Sequence, residues 1–310
     1  FKDEQTKEIF EQSLSDYEVN LMKTNNLTLE QMNWRRRTIA NKCAGDEELF
    51  FQEYPSTPEE AFIASGRPVF NISALRKYLN HAKPGKKFYL KENGDGIHTI
   101  EDDKGYVEIW EMPKENEFYV IGGDVAEGKI DGDYSVGIVL NQNCDVVAKW
   151  YGHIDPDLFG KELTKLARLY NDAYLGVEAN NHGLTTLKSI QREDYWNLYF
   201  AKIYDRFTDS ITQKLGWQTT SKTKPMMIDK LGEFIREFHI GIPSKKIIEE
   251  CLSYIIEDNG STNAQIGSHD DCVMALAIAL QVWLEGKSDT FEPENSDEYD
   301  NEDYYEEVAE

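Results

Sequence analysis

The chain has 310 residues, enough for one large domain or two modest ones with ample core. Its formal net charge of −24 excludes whole-surface attraction to nucleic acid, so any DNA contact needs a local basic strip. Hydrophobic residues make up 40% without a long uninterrupted apolar run, which excludes a membrane-spanning segment.

Phe1-Lys-Asp-Glu-Gln5 carries no signal-peptide pattern, and the numbering is expected to begin inside a longer protein. Ile9, Phe10, Leu14, Tyr17 and Leu21 recur at helical spacing and predict a helix over 1–25. Thr28-Leu-Glu-Gln31 is a capping-box pattern that opens a second helix through Ala44. On it, Arg35-Arg-Arg37 reads as a solvated face; a phosphate contact is the alternative. Phe50-Phe-Gln-Glu-Tyr-Pro55 leads into Ser56-Thr-Pro-Glu-Glu-Ala-Phe62, a proline-started, acid-rich helix N-terminus. Ser65-Gly-Arg-Pro68 breaks the chain and marks an expected boundary. A short helix over 75–81 follows, then loops and a hairpin over 83–100, then a half-buried strand over 105–110.

Phe118-Tyr-Val-Ile-Gly-Gly-Asp124 predicts a buried strand whose single carboxylate sits where side chains meet solvent. Strands over 135–140 and 146–151, joined by the turn-like Asn141-Gln-Asn-Cys144, complete an antiparallel meander. Asp155-Pro156 caps a helix to Tyr170. Tyr174-Leu-Gly-Val-Glu178 is a short apolar strand that also ends in one acid. Asn180-Asn-His-Gly183 is a loop before a helix over 184–194, and 198–204 is strand-like. Thr220 or Ser221 caps a helix over 224–238, and Ser244 caps another over 245–256. Asp258-Asn-Gly-Ser261 is a turn signal. The segment Ser268 to Trp283 is an apolar closing helix opened by two acids, and Ser288 to Glu310 reads as a disordered acidic tail. The scattered Cys43, Cys144, Cys251 and Cys272 lack metal-ligand spacing and read as reduced, core-filling residues of a cytoplasmic protein.

An acid at the tip of a central strand is costly unless it is paired or bound to a cation. Asp124 is therefore a candidate metal ligand; an acid capping a turn is the plain alternative. Asp270 and Asp271 alone would be explained by the helix dipole, for about 0.5–2 kcal/mol. The combination says more. Asp124 ends one strand, Glu178 ends another, and Asp270 with Asp271 opens a buried helix whose first turn should meet the strand tips. Such carboxylates repel one another unless cations neutralise them, and Mg²⁺ or Mn²⁺ suits an all-oxygen donor set. A pair of such ions would activate a water and stabilise the leaving oxygen in phosphodiester cleavage.

His269 and His182 lie beside these acids and are accessory candidates, as proton shuttle or outer-sphere contact. A histidine bonded to nearby backbone is the ordinary alternative. Lys222 and Lys224 oppose the dipole of the helix they open, which points to an anion such as DNA phosphate, with Arg206 and Lys202 extending the strip. Solvated lysines are the competing reading. Gly286-Lys-Ser288 mimics the end of a phosphate-binding loop, but Gln281 stands where its first glycine is required.

On these residues the chain resembles the large terminase subunit of tailed bacteriophages. The carriers are Gln52-Glu-Tyr-Pro-Ser-Thr-Pro-Glu-Glu-Ala-Phe62, Gly122-Gly-Asp124, Val177-Glu-Ala-Asn-Asn-His-Gly183, Leu215-Gly-Trp217 with Thr223-Lys-Pro225, and Ser268-His-Asp-Asp271. The resemblance implies an α/β, ribonuclease H-like fold: a mixed sheet of antiparallel meander plus parallel strands, flanked by helices and preceded by a mostly helical segment. It implies that Asp124, Glu178 and Asp271 ligate the metals, with Asp270 a fourth ligand. It divides the chain into the end of an ATPase motor (1–65), the nuclease domain (66–286) and the tail (287–310). No ATP-binding loop is present, so translocation is not assigned to these residues.

The implied partners are double-stranded DNA, the small terminase subunit and the portal, in the host cytoplasm and with no membrane. The expected function is cutting of concatemeric double-stranded DNA by metal-dependent hydrolysis. Two other readings stand beside it: a resolvase-type ribonuclease H-like nuclease, and a non-catalytic packaging or docking module whose acids hold a structural metal.

Overall fold

The computed structural model describes residues 1–56, 67–129, 132–179, 182–205, 210–257 and 259–290. The N-terminal segment is helical, with α1 (Glu4–Gln12), α2 (Asp16–Asn25), α3 (Leu29–Lys42) and α4 (Glu47–Glu53). The single helix expected over 1–25 is two helices. Ser15 starts a new one: its hydroxyl accepts from the Glu18 N–H, and the Glu18 carboxylate accepts from the Ser15 N–H. The capping box at Thr28 and Gln31 forms as expected.

The solvated-face reading of the arginine run is corrected. Arg35 is 3% exposed, with its guanidinium over the rings of Tyr17, Phe50 and Phe51. Arg36 grips Glu18 with two bonds of 2.6 Å. Apolar rings from α2 and α4 decide these positions, and helix periodicity cannot see them. The helix expected from Ser56 and the boundary at Ser65 fall on residues 57–66, outside the described residues.

After β1 (Arg67–Pro68) and α5 (Ile72–His81) comes the main sheet. Its strands are β2 (Lys86–Asn93), β3 (Gly96–Glu101), β4 (Val107–Ile109), β5 (Tyr119–Asp124), β6 (Ser135–Asn141), β7 (Val146–Gly152) and β8 (Tyr174–Val177). Their order is β3-β2-β4-β7-β6-β5-β8. The segments β5, β6 and β7 form the expected antiparallel meander, and β8 adds parallel to the far side of β5. A parallel neighbour needs a crossover, and α6 (Pro156–Leu169) supplies it. This is the mixed sheet of antiparallel meander plus a parallel strand expected from the sequence. Pro156 takes the first helical position, while the expected side-chain cap from Asp155 is not made.

Both faces of the sheet are covered, which is why its central strands are apolar throughout. Val120, Val136, Ile138 and Leu140 face one core with the closing helix α10 (Asp271–Thr290). Ile121 and Val139 face the other, with Phe159, Leu163 and Leu166 of α6. Helices α7 (Gly183–Arg192), α8 (Thr223–Arg236) and α9 (Lys245–Leu252) complete the two layers. A Cβ on Gly122 would collide with the backbone of Ala275 and Ala279, so this glycine lets α10 lie directly on β5.

The remaining strands were not all legible. β9 (Phe200–Asp205) was expected, but its hairpin partner β10 (Ser210–Leu215) was not. The helix expected over 245–256 stops at Leu252, and β11 (Tyr254–Ile256) pairs with β12 (Thr262–Ala264) and with β1. The closing helix runs on to Thr290, past the expected start of the tail at 287. The rest of the tail, 291–310, lies outside the described residues. All four cysteines are buried and outside any disulfide. Among the described residues no helix is long and apolar enough to cross a membrane.

Candidate metal centre

The site is built at the end of the sheet where β5 and β8 run out together. In the parallel register Gly123 pairs with Val177, so Asp124 and Glu178 are the next residues on adjacent strands. The Glu178 N–H donates to the Gly123 carbonyl at 2.9 Å and fixes that neighbourhood. Glu178 is also bridged to Trp217 on its other side, where the Trp217 N–H donates to the Val177 carbonyl at 2.8 Å. The Asp124 carboxylate accepts from the Val125 N–H at 3.0 Å.

Helix α10 brings in the other acids. Asp270 precedes the helix, and its carbonyl accepts from the Met274 N–H at 2.9 Å. Asp271 is the first helical residue and is 6% exposed. Its Oδ2 accepts from the Tyr134 N–H at 3.1 Å, across 137 residues of sequence. That bond ties the start of α10 to the turn entering β6.

Electrostatics couple Asp124 to the other acids. Burial first, then the charges of Glu178, Asp271 and Asp270, push the Asp124 carboxyl well above the ordinary aspartate range. Burial raises Asp271 to about 7, offset in part by the Tyr134 N–H. Asp270 is also raised by burial, and the nearby Lys224 ammonium opposes the rise. Strand register sets Asp124 beside Glu178, and Asp271 and Asp270 act on Asp124 through their charge, but among the described residues neither Asp124 nor Glu178 belongs to a group whose ligand atoms all lie within 4.8 Å of one another. Burial and neighbouring negative charge that hold a carboxyl up, as at Asp124, are what a divalent cation relieves, so the residues fit a hard cation.

Asp133 was missed by sequence reasoning. It is exposed in the turn before β6, with its Oδ1 3.4 Å from Nδ1 of His269, which lies 3.7 Å from Oδ2 of Asp271. Among the described residues these three form the group whose ligand atoms all lie within 4.8 Å of one another. The available signal was Gly132-Asp133 at the same sheet end as Asp124. His269 also meets the Tyr134 ring edge-on at 5.3 Å.

The other candidates are more dispersed. His182 is exposed at the start of α7, and its charge acts on Glu127. Lys222 is exposed at the start of α8. Lys224 is partly buried; it donates to Asn263 at 3.1 Å and lies 5.8 Å from the Tyr254 ring centroid. Lys202 lies on β9, and Arg206 falls outside the described residues.

The fold and site together define a mixed α/β domain with an acid cluster at the carboxyl edge of its sheet. Among solved structures, it is similar to the large terminase nuclease from thermophilic phage G20c, with a TM-score of 0.47, 17% identity, and coverage of 67% of this chain and 97% of that one. The same nuclease with bound magnesium gives a TM-score of 0.48 at 18% identity, covering 69% of this chain and 97% of that one. The large terminase nuclease domain of Thermus phage P74-26 gives 0.46 at 17% identity, covering 73% of this chain and 99% of that one. No family model and no curated protein sequence matches the chain.

Proposed function

We propose that this chain is a divalent-metal-dependent nuclease that hydrolyses DNA phosphodiester bonds, as the endonuclease of a phage DNA-packaging terminase. The observation that carries the proposal is the strand register that sets Asp124 beside Glu178 at the end of the sheet, with the Tyr134 N–H tying Asp271 to the neighbouring strand. Asp124, Glu178 and Asp271 would hold the cation, with Asp270 as a fourth ligand and Asp133 and His269 alongside. Mg²⁺ or Mn²⁺ suits this oxygen-rich set. Such a cation supplies a nucleophilic water at neutral pH and charge stabilisation at the scissile phosphate.

The chain's own residues supply the rest. Strand register holds Asp124 beside Glu178. The Tyr134 N–H orients Asp271. His269, with its Nδ1 beside Asp133 and Asp271, would serve as the accessory proton carrier. Lys222 is the exposed cation that meets backbone phosphate, while Lys224 balances Asp270. The substrate under this reading is double-stranded DNA, with the small terminase subunit and portal as partners in the host cytoplasm. Residues 1–65 then close a motor domain, and 66–286 form the nuclease.

Plasmid cleavage with Mn²⁺ tests the proposal. Asp124→Ala should cut more slowly than wild type by over about 100-fold, beyond the range typical of losing an outer-shell partner. Equal cutting by both proteins rejects it.

A further inference from the structure

Glu250 is a buried charge that the proposed chemistry does not use. It sits on α9, is 2% exposed, and lies 22 residues before Cys272, the second residue of α10. Its Oε2 accepts from the Cys272 N–H at 2.7 Å. The first N–H groups of a helix have no partner within the helix, and α10 begins under a packed layer where water cannot serve them all. A carboxylate from a neighbouring helix therefore caps α10 one residue after Asp271.

The capping group is itself held. Its Oε1 lies 3.2 Å from Nζ of Lys246, one turn earlier on α9. The start of α9 is fixed in turn: Ser244 accepts from the Ile247 N–H, and the buried Lys149 of β7 donates to the Ser244 hydroxyl at 3.2 Å. Lys149 also pairs with Glu108 of β4 at 3.2 Å. A line of polar contacts thus runs from the sheet through α9 to the backbone beside Asp271. It approaches from one side while the Tyr134 N–H holds the Asp271 carboxylate from another.

We propose that Glu250 is a positioning residue for Asp271: it fixes the first turn of α10 so that Asp271 meets the cation in place. The proposal rests on the metal-dependent reading above. It attributes the effect to reach and hydrogen bonding, not to the added negative charge.

Two substitutions separate those causes. Glu250→Gln keeps the length and an oxygen acceptor but loses the charge. Glu250→Asp keeps the charge but is one methylene too short to reach the Cys272 N–H. Mn²⁺ affinity of the full chain is measured by calorimetric titration, with a thermal melt of each protein. Glu250→Gln should bind within about twofold of wild type, and Glu250→Asp about tenfold more weakly, as for a lost outer-shell partner. Glu250→Asp binding like wild type, or Glu250→Gln losing more than Glu250→Asp, overturns the proposal. Failure of Glu250→Asp to fold also overturns it, because the residue then serves stability alone. A wild type that binds no Mn²⁺ sinks the nuclease reading, and this inference with it; a wild type that binds, with Glu250→Asp unaffected, sinks only the inference.

Discussion

Asp124 and Glu178 stand side by side at the ends of two parallel strands, one residue beyond the Gly123–Val177 pair, and the Glu178 charge helps to raise the Asp124 carboxyl. Two neighbouring carboxylates repel when both are ionised, so the pair gains from a cation or from loss of one charge. Asp124→Asn supplies a permanent donor to Glu178. Metal-free protein carrying it should be more stable by about 1–2 kcal/mol, in the range of a hydrogen bond to a charged group. At this size each kcal/mol moves the melting temperature by about 2–4 °C. The same variant should lose cleavage. A metal-free melt equal to or below wild type would remove the strain argument.

The same acids set a pH dependence. Burial raises Asp271 to about 7, whereas an unfolded aspartate titrates near about 4. A carboxyl that holds its proton more tightly when folded contributes stability below about pH 4, and that contribution is lost as pH rises to about 7. Asp124 is shifted in the same direction and adds with the same sign. In EDTA the melting temperature should therefore fall between about pH 5 and pH 8. Saturating Mn²⁺ should flatten that slope, because bound carboxylates no longer need protons. A slope that Mn²⁺ leaves unchanged would dissociate these two acids from any cation.

Adjacent glycines in β5 have different neighbours. Gly122 faces the α10 backbone at Ala275 and Ala279, which cannot yield without moving the helix. Gly123 faces the ends of Leu163 and Val177 side chains, at 3.2 and 3.3 Å from where a Cβ would sit. Gly122→Ala should cost about 3 kcal/mol or more, and Gly123→Ala about 1 kcal/mol, the span seen for overpacked cores. Urea unfolding followed by circular dichroism measures both. Gly122→Ala should also weaken cleavage, because α10 carries Asp271 on its first turn, directly after Asp270.

How much of this was legible follows from the range of each signal. The strands of the meander announce themselves by local apolar runs, and the acids by their positions at element ends. Thr28 and Gln31 form their capping box because its partners are three residues apart. Arg35 looked solvated because its rings come from Tyr17, Phe50 and Phe51, which only tertiary packing places around it. Ser210–Leu215 is short and largely polar, so its strand state depends on pairing with β9. Asp133 meets the site through His269 and Asp271, far along the chain. Glu250 would pass for half of an exposed helical ion pair with Lys246; it is buried only because α10 lands on it.

Arg36 and Glu18 give a stability test remote from the acids. The guanidinium grips a carboxylate that is 6% exposed, and this pairing with the Ser15 cap holds Glu18 down to about 2 despite burial. A folded value below the unfolded one contributes stability above about pH 4, and that contribution disappears as pH falls toward about 2. Arg36→Ala leaves the carboxylate buried without its partner. A fully buried pair would lose about 3–5 kcal/mol, but Arg36 is about one-third exposed, so about 1–3 kcal/mol is expected. The loss should appear in α1 to α3 by hydrogen exchange, while Mn²⁺-dependent cleavage stays near wild type. Cleavage falling in step with the helical segment would show instead that the helices and the acid-bearing sheet fold as one unit.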